Sequence, residues 1–209
     1  MLKVNEIFKS IQGESSYTGL PCTFVRLTGC HIRCTYCDTS YAFHEGHDQS
    51  IEEVLIRVRE IGLSLVEITG GEPLIQKDAF TLASQLADAH TKVLVETSGT
   101  IDLSGLDKRI IKIMDIKCPG SGVSDKMFWP NLDLLTPIDE IKFVISDQYD
   151  FDWAHELVLM KKLNNVLFAP VYKKLPPKQL AEWILKDNLP VRMQLQVHKY
   201  IWSPGQRGV

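Results

Sequence analysis

The sequence predicts an α/β fold, an incomplete parallel β/α barrel with few helices. Three observations predict it. Short apolar, β-branched runs alternate with amphipathic helical patterns along the chain, as βα units do. Several of those runs are almost continuously apolar, as strands covered on both faces must be. About seven strands and only four good helices are too few for a closed eight-fold barrel, which needs roughly 250 residues, where this chain has 209.

Taken in order, the first core strand is 23–28 (TFVRLT). A helix follows at 51–61, where Ser50 and Glu53 form a capping box, Ile51, Val54, Leu55 and Val58 share one face, and Gly62 stops it. A strand at 65–69 (LVEIT) leads to a helix at about 79–89 with Leu82, Ala83, Leu86 and Ala87 inward. Strands at 92–96 and 110–116 come next. The stretch 117–138 breaks the alternation and reads as a loop of about 20 residues in place of a helix, a length usually kept for function. A strand at 140–145, a helix over roughly 153–162 and a strand at 165–169 restore the pattern. The last helix opens at Pro176-Pro177 and buries Leu180, Trp183 and Ile184, before a final strand at 192–197. Crossovers in such a sheet are right-handed.

Composition narrows the function. At 44% hydrophobic and 23% charged the chain is ordinary globular protein, which excludes disorder, and it reads as a single domain over 1–209. A balance of 23 basic against 26 acidic residues leaves a net charge of -3 and no basic stripe, so direct nucleic-acid binding is not expected. The apolar runs are strand-sized, so no membrane span is expected. No apolar h-region follows Lys3, so the expected location is cytoplasmic. Five cysteines, an odd number without a leader, argue against a disulfide framework.

Three of them, Cys30, Cys34 and Cys37, form C-x3-C-x2-C directly after the first core strand. Soft thiolates on one short loop select zinc, copper(I) or iron–sulfur. Structural zinc wants four ligands, and the fourth is not evident, since Cys22 precedes the strand and Cys118 is remote, leaving His31 or His44. A [4Fe–4S] cluster held by three cysteines keeps one iron open for chemistry, and the spacing favours it. Three further motifs end successive strands: Thr69-Gly70-Gly71-Glu72-Pro73, Glu96-Thr97-Ser98-Gly99-Thr100 and Asp115-Ile116-Lys117-Cys118-Pro119-Gly120. Singly each is a turn; together they lie where α/β folds bind ligands. Paired glycines admit close backbone approach, and Glu72 offers a carboxylate to an ammonium.

The cysteine spacing, with Tyr36 before the last cysteine, resembles the radical S-adenosylmethionine (SAM) superfamily. Phe8-Lys9-Ser10-Ile11-Gln12-Gly13-Glu14, Gly19-Leu20-Pro21, Phe24-Val25-Arg26-Leu27, Cys37-Asp38-Thr39, the ETSGT turn, EIKFVI and Gln196-Val197-His198-Lys199-Tyr200 are similar to the 7-carboxy-7-deazaguanine synthase family over essentially the whole chain. Activases of glycyl-radical enzymes share the cysteine spacing but not the QGE or HKY elements. A zinc-stabilised binding module is the non-catalytic alternative.

The resemblance implies a compressed partial barrel of the radical SAM type, working in 7-deazapurine (queuosine precursor) synthesis. Its substrate would be the pterin 6-carboxy-5,6,7,8-tetrahydropterin, and its products 7-carboxy-7-deazaguanine and ammonia, with SAM regenerated. It implies a [4Fe–4S] cluster on Cys30, Cys34 and Cys37 and a SAM seat of Tyr36, Cys37, Asp38, Gly70, Gly71, Glu72, Gly99, Asp115, Ile116 and Lys117. It implies Mg2+ on Thr39, a hydroxyl that would otherwise be a turn cap, and substrate contacts from Ile11, Gln12, Gly13, Glu14, Arg26 and Thr97. A homodimer and a reducing electron donor such as flavodoxin complete the implied partners.

Arg26 could equally make an ion pair to the sheet edge, and His198 and Lys199 could reach a ligand or cap the last strand. Ser15 stands where the family commonly has glycine, Cys22 and Cys118 read as bystanders, and His44 and His47 as loop residues. Phe128-Trp129 reads as lid or dimer contact, and the C-terminal carboxylate could approach the substrate.

Overall fold

The computed structural model describes residues 1–89 and 92–209. Its strands are β1 (Leu2–Ile11), β2 (Pro21–Leu27), β3 (His47–Gln49), β4 (Leu65–Gly70), β5 (Lys92–Thr97), β6 (Ile111–Ile116), β7 (Glu140–Ile145), β8 (Val166–Pro170) and β9 (Arg192–Met193). They form one sheet in the order β3-β1-β2-β4-β5-β6-β7-β8-β9. From β2 to β9 in that order every pairing is parallel, whereas β1 is antiparallel to both its neighbours. The sheet is therefore mixed, and β1 and β3 are additions to the expected strands. Only Leu2 and Val4 of β1 are buried, and β3 is three polar residues, so neither carries an apolar run.

The helices are α1 (Ile51–Ile61), α2 (Asp78–Ala89), α3 (Gln148–Lys161), α4 (Pro177–Lys186) and the short α5 (His198–Ile201). The capping box of α1 is present, and Gly62 closes it in the left-handed region at φ +74. Helix α3 begins five residues before its expected start, because the Asp147 carboxylate accepts from Asp150 N–H and caps it there. Residues 119–134 carry three 3-10 turns where a crossover helix would lie, as the loop reading of 117–138 expects.

Alternation along the parallel strands sorts side chains to two faces. Ile68, Val95, Met114, Phe143 and Phe168 meet Val54, Val58, Leu82, Leu86, Phe151 and Leu180 of the helices in the main core. Each such buried side chain contributes about 1.5–3 kcal/mol. On the other face Cys22, Phe24, Leu65, Leu94, Ile111 and Ile113 form a smaller apolar plug. Beyond that plug, toward the strands' C-terminal ends, the inward residues turn polar.

The sheet curls around this face. Val197 N–H reaches Gly13 O at 3.0 Å, Ser15 N–H reaches Gln194 Oε1 at 2.7 Å, and Ser16 N–H reaches Glu140 at 3.1 Å. These contacts join the loop after β1 to β7 and the segment after β9, several strands away in sheet order. The same contacts shorten the last strand: Gln194–Val197 bonds to the loop after β1, so β9 keeps two residues of the expected 192–197. The end strands β3 and β9 are not paired with each other among the described residues, and the barrel is open.

Candidate active site

A cavity of about 610 Å³ opens at the C-terminal ends of the parallel strands. Its rim includes the loop that follows β2. Arg33 braces that loop by donating to Cys30 O and Ile32 O, both at 2.7 Å, while its guanidinium lies 4.3 Å from the Phe43 ring centre. Thr35 ties the loop to the 3-10 turn after β6, through N–H to Ser121 O at 3.0 Å and hydroxyl to Gly120 O at 2.7 Å. Cys30, Cys34 and Cys37 line the cavity. Burial pushes the Cys30 and Cys34 thiols above their ordinary range, so a bound metal centre must displace their protons. The other cysteines stay out of it: Cys22 sits in the apolar plug and Cys118 in the main core. His31 is turned to the Thr100 hydroxyl at 3.0 Å, and His44 is exposed, as is His47.

The glycine turn after β4 closes on this loop. Gly70 is at φ +155, where only glycine is at ease, and a Cβ there would lie 2.3 Å from Leu27 O. Gly99 is at φ +70 with Met114 and Met127 against it. Glu72 differs from the expectation that its carboxylate faces an ammonium. It is fully buried and accepts from Leu74 N–H at 3.1 Å, the Thr97 hydroxyl at 3.0 Å, Ser98 N–H at 2.6 Å and the Ser98 hydroxyl. In this structure Glu72 braces the turn after β4 to the turn after β5, and Thr97 spends its proton on that brace while still lining the cavity.

After β6, Asp115 and Lys117 line the cavity, but Ile116 points the other way into the main core and offers only backbone. Lys117 Nζ lies 2.8 Å from Asp115 Oδ2, and Asp115 Oδ1 is buried with no hydrogen-bond partner. Tyr36 donates to Val144 O at 3.2 Å. Burial works to raise the Asp38 carboxyl, yet the Lys199 ammonium, with hydrogen bonds from Lys199, Thr39 and Gln196, holds it well below the usual carboxylate range. Thr39 precedes a 3-10 turn without capping it, and its hydroxyl donates to Asp38 Oδ1 at 3.0 Å.

On the opposite wall Ile11, Gln12, Gly13, Glu14 and Arg26 all line the cavity. Gln12 is nevertheless spent internally: its Oε1 accepts Glu14 N–H at 3.1 Å and its Nε2 donates to Glu67. It shapes the loop that presents Glu14. Gly13 touches His198, which also lines the cavity with Lys199 and the C-terminal Val209. Arg26 makes the sheet-edge ion pair, Nε to Glu6 Oε1 at 2.8 Å, and its two terminal nitrogens have no hydrogen-bond partner among the described residues. Trp129 packs 6.5 Å from Trp153 on α3, outside the cavity.

The cavity residues to which the sequence assigned no ligand contact include Glu67, Glu96 and Lys142. Lys142 Nζ is buried, with Glu14 at 2.9 Å, Asp115 at 3.7 Å and Glu96 closer still. Burial works against its charge, but these carboxylates hold the ammonium protonated, its pKa well above the ordinary value. The signal for all three was a charged residue at an inward position of an apolar strand, in LVEIT, KVLVE and EIKFVI.

Residues 24–182 match the Radical SAM superfamily. A relative from Koribacter versatilis named 7-carboxy-7-deazaguanine synthase is 44% identical over 226 aligned positions, covering 100% of both chains. Another of that name from Chlorobaculum tepidum is 46% identical over 100% of this chain and 97% of its own.

The chain belongs to the 7-carboxy-7-deazaguanine synthase family of radical SAM enzymes.

The fold agrees: the crystal structure of QueE from Escherichia coli superposes with a TM-score of 0.73 at 24% identity, covering 92% of this chain and 93% of that one. A SAM-bound structure of SuiB from Streptococcus suis shares the fold more loosely, with a TM-score of 0.55 over 80% of this chain.

As a radical SAM enzyme the chain uses a [4Fe–4S] cluster and SAM, and its residues fit both. Three thiols lining one cavity fit a cluster, which takes each thiolate on a different iron. Asp115 lines the same cavity and its buried Oδ1 has no hydrogen-bond partner, while Gly70 and Gly71 line it with no side chain of their own.

Proposed function

We propose that this chain converts 6-carboxy-5,6,7,8-tetrahydropterin to 7-carboxy-7-deazaguanine with loss of ammonia. The reading rests on one observation: the loop Gln12–Glu14, Arg26 and Thr97 line the same cavity as the three cysteine thiols. Held by the three cysteines, the cluster would supply the electron for reductive cleavage of SAM, and SAM the radical chemistry. The protein's own work is binding, orientation and exclusion of water.

Cys30, Cys34 and Cys37 hold the cluster, and the turns at Gly70-Gly71 and Gly99 with Asp115 and Lys117 seat SAM. Glu14 accepts from donors on the pterin edge; Lys142 at 2.9 Å and Gln196 at 3.0 Å fix its two oxygens. Arg26 turns its terminal nitrogens to the substrate carboxylate, while Glu6 and the faces of Phe8 and Tyr41, each 5.8 Å from the guanidinium, lock its stem. The apolar plug of Phe24, Leu94 and Ile113 closes the floor against solvent. Thr39 would supply one protein oxygen to Mg2+, a cation suited to few protein ligands.

The reading includes a single catalytic domain over 1–209, a homodimer, a small reducing donor such as flavodoxin and a cytoplasmic location. No helix among the described residues is long and apolar enough to cross a membrane. The test is anaerobic incubation of reconstituted protein with SAM, reductant, Mg2+ and carboxytetrahydropterin. The deazaguanine should form with SAM largely recovered; SAM consumption without that product would contradict the reading.

A further inference from the structure

Glu67 is buried on the inward face of β4, and none of the site assignments above includes it. Its cross-strand neighbours are apolar: Phe24 on β2 and Leu94 on β5, both buried. Charged or titratable groups face it from every side. They are Glu96 from β5, Lys142 from β7, Glu14 from the loop after β1, and Arg26 and Cys22 from β2. The nearby cations pair with other carboxylates. Lys142 pairs with Glu14, Glu96 and Asp115, and Arg26 pairs with Glu6, so no cation lies within ion-pair distance of Glu67 among the described residues. Thiol Cys22 is pushed up by burial and stays neutral.

Hydrogen bonding then distinguishes the two oxygens. Gln12 cannot be turned round, because its Oε1 accepts the Glu14 N–H, so its Nε2 must donate to Glu67 Oε2. Glu67 Oε1 has no hydrogen-bond partner among the described residues, and the side chain lines the cavity.

We propose that Glu67 is a neutral carboxylic acid that carries its proton on Oε1 and donates it, as a hydrogen bond, to an acceptor atom of the substrate. Glu67 is then a specificity-determining residue: Gln12 fixes its orientation, and it demands an acceptor where Glu14 demands a donor. Burial, with the Glu96 carboxylate next, pushes its pKa well above the ordinary carboxylate value, which agrees with this geometry. The substrate part of the inference rests on the proposed function; the protonation does not.

Two measurements on anaerobically reconstituted holoenzyme separate the parts. Infrared difference spectra at neutral pH, wild type minus Glu67→Gln, should show the carbonyl band of a neutral carboxylic acid; a carboxylate band in its place overturns the proposal whatever the enzyme's reaction. In turnover, Glu67→Gln keeps an uncharged donor and should hold KM near that of wild type, whereas Glu67→Met should raise KM about tenfold with kcat less affected. Wild-type kcat/KM should fall as rising pH ionises Glu67, and the Glu67→Gln profile should be flatter. Parallel profiles, or equal KM for the Gln and Met variants, overturn the substrate contact. Failure of wild type to turn over the pterin at all counts instead against the proposed function, and the infrared result still stands.

Discussion

A Cβ atom on Gly71 would lie 2.5 Å from the Cβ of Cys30 and 2.7 Å from Gly29 O. The turn after β4 and the cysteine loop after β2 are thus in contact through a missing side chain. Glu72 N–H, donating to Gly29 O at 3.0 Å, fastens the same seam. Cys30, proposed as the first cluster ligand, is packed against a glycine more than one βα unit away.

Gly71→Ala therefore displaces Cys30 or the turn itself, an overpacking that costs about 1–3 kcal/mol. Iron per chain after anaerobic reconstitution should fall clearly below wild type, as should the visible absorbance of the cluster. Full cluster loading in the variant would show that the seam does not position Cys30.

Glu72→Ala leaves at least Ser98 N–H and Leu74 N–H buried without an acceptor. At about 1–3 kcal/mol per orphaned donor, it should cost roughly 2–6 kcal/mol of folding stability, with or without SAM. Denaturant midpoints measure this. Unchanged stability with lost SAM binding would instead restore the sequence's reading of Glu72 as an ammonium partner.

Lys142→Met strands Glu14, Glu96 and Asp115 without their cation, a loss of about 3–5 kcal/mol at neutral pH for a broken buried pair. Burial works to raise the Glu96 carboxyl, but Lys142 lowers it further, so in wild type it falls below its ordinary value. A depressed carboxyl stabilises the fold above its unfolded pKa, and that stability is lost as pH falls through the folded value. In the variant the sign reverses, since protonation relieves uncompensated charge. The gap between wild type and Lys142→Met should narrow from pH 7.5 to pH 5 in urea titrations, and a constant gap would contradict the network.

Thr39→Ala removes the oxygen proposed for Mg2+ and leaves the cysteines in place. Half-maximal turnover should need about tenfold more Mg2+, with iron content unchanged. An identical Mg2+ response would reject Thr39 as a ligand.

Much of the frame could be read from residues alone. Strands β2 and β4 to β8 are largely buried runs rich in apolar residues, and helix α1 announces its ends with Ser50, Glu53 and Gly62. Strand β1 could not be read so, because Leu2 and Val4 are its only buried side chains and its partners lie on β2 and β3. The cysteine triad is legible because its chemistry is local in sequence. The roles of Glu72, Gln12 and Glu67 are not: Glu72 is claimed by Thr97 and Ser98 on the next strand's turn, and Gln12 by Glu67 across the curl of the sheet. Lys142 shows its function only when Glu14, Glu96 and Asp115 are brought around it.

The central claim is that three cysteines hold a cluster with one iron open to SAM. Electron paramagnetic resonance of the reduced, anaerobically reconstituted protein, recorded before and after SAM addition, tests it most directly. The account predicts a [4Fe–4S] signal whose shape shifts when SAM binds, and no such signal in Cys34→Ala. A cluster signal indifferent to SAM, or one that survives Cys34→Ala, would contradict it.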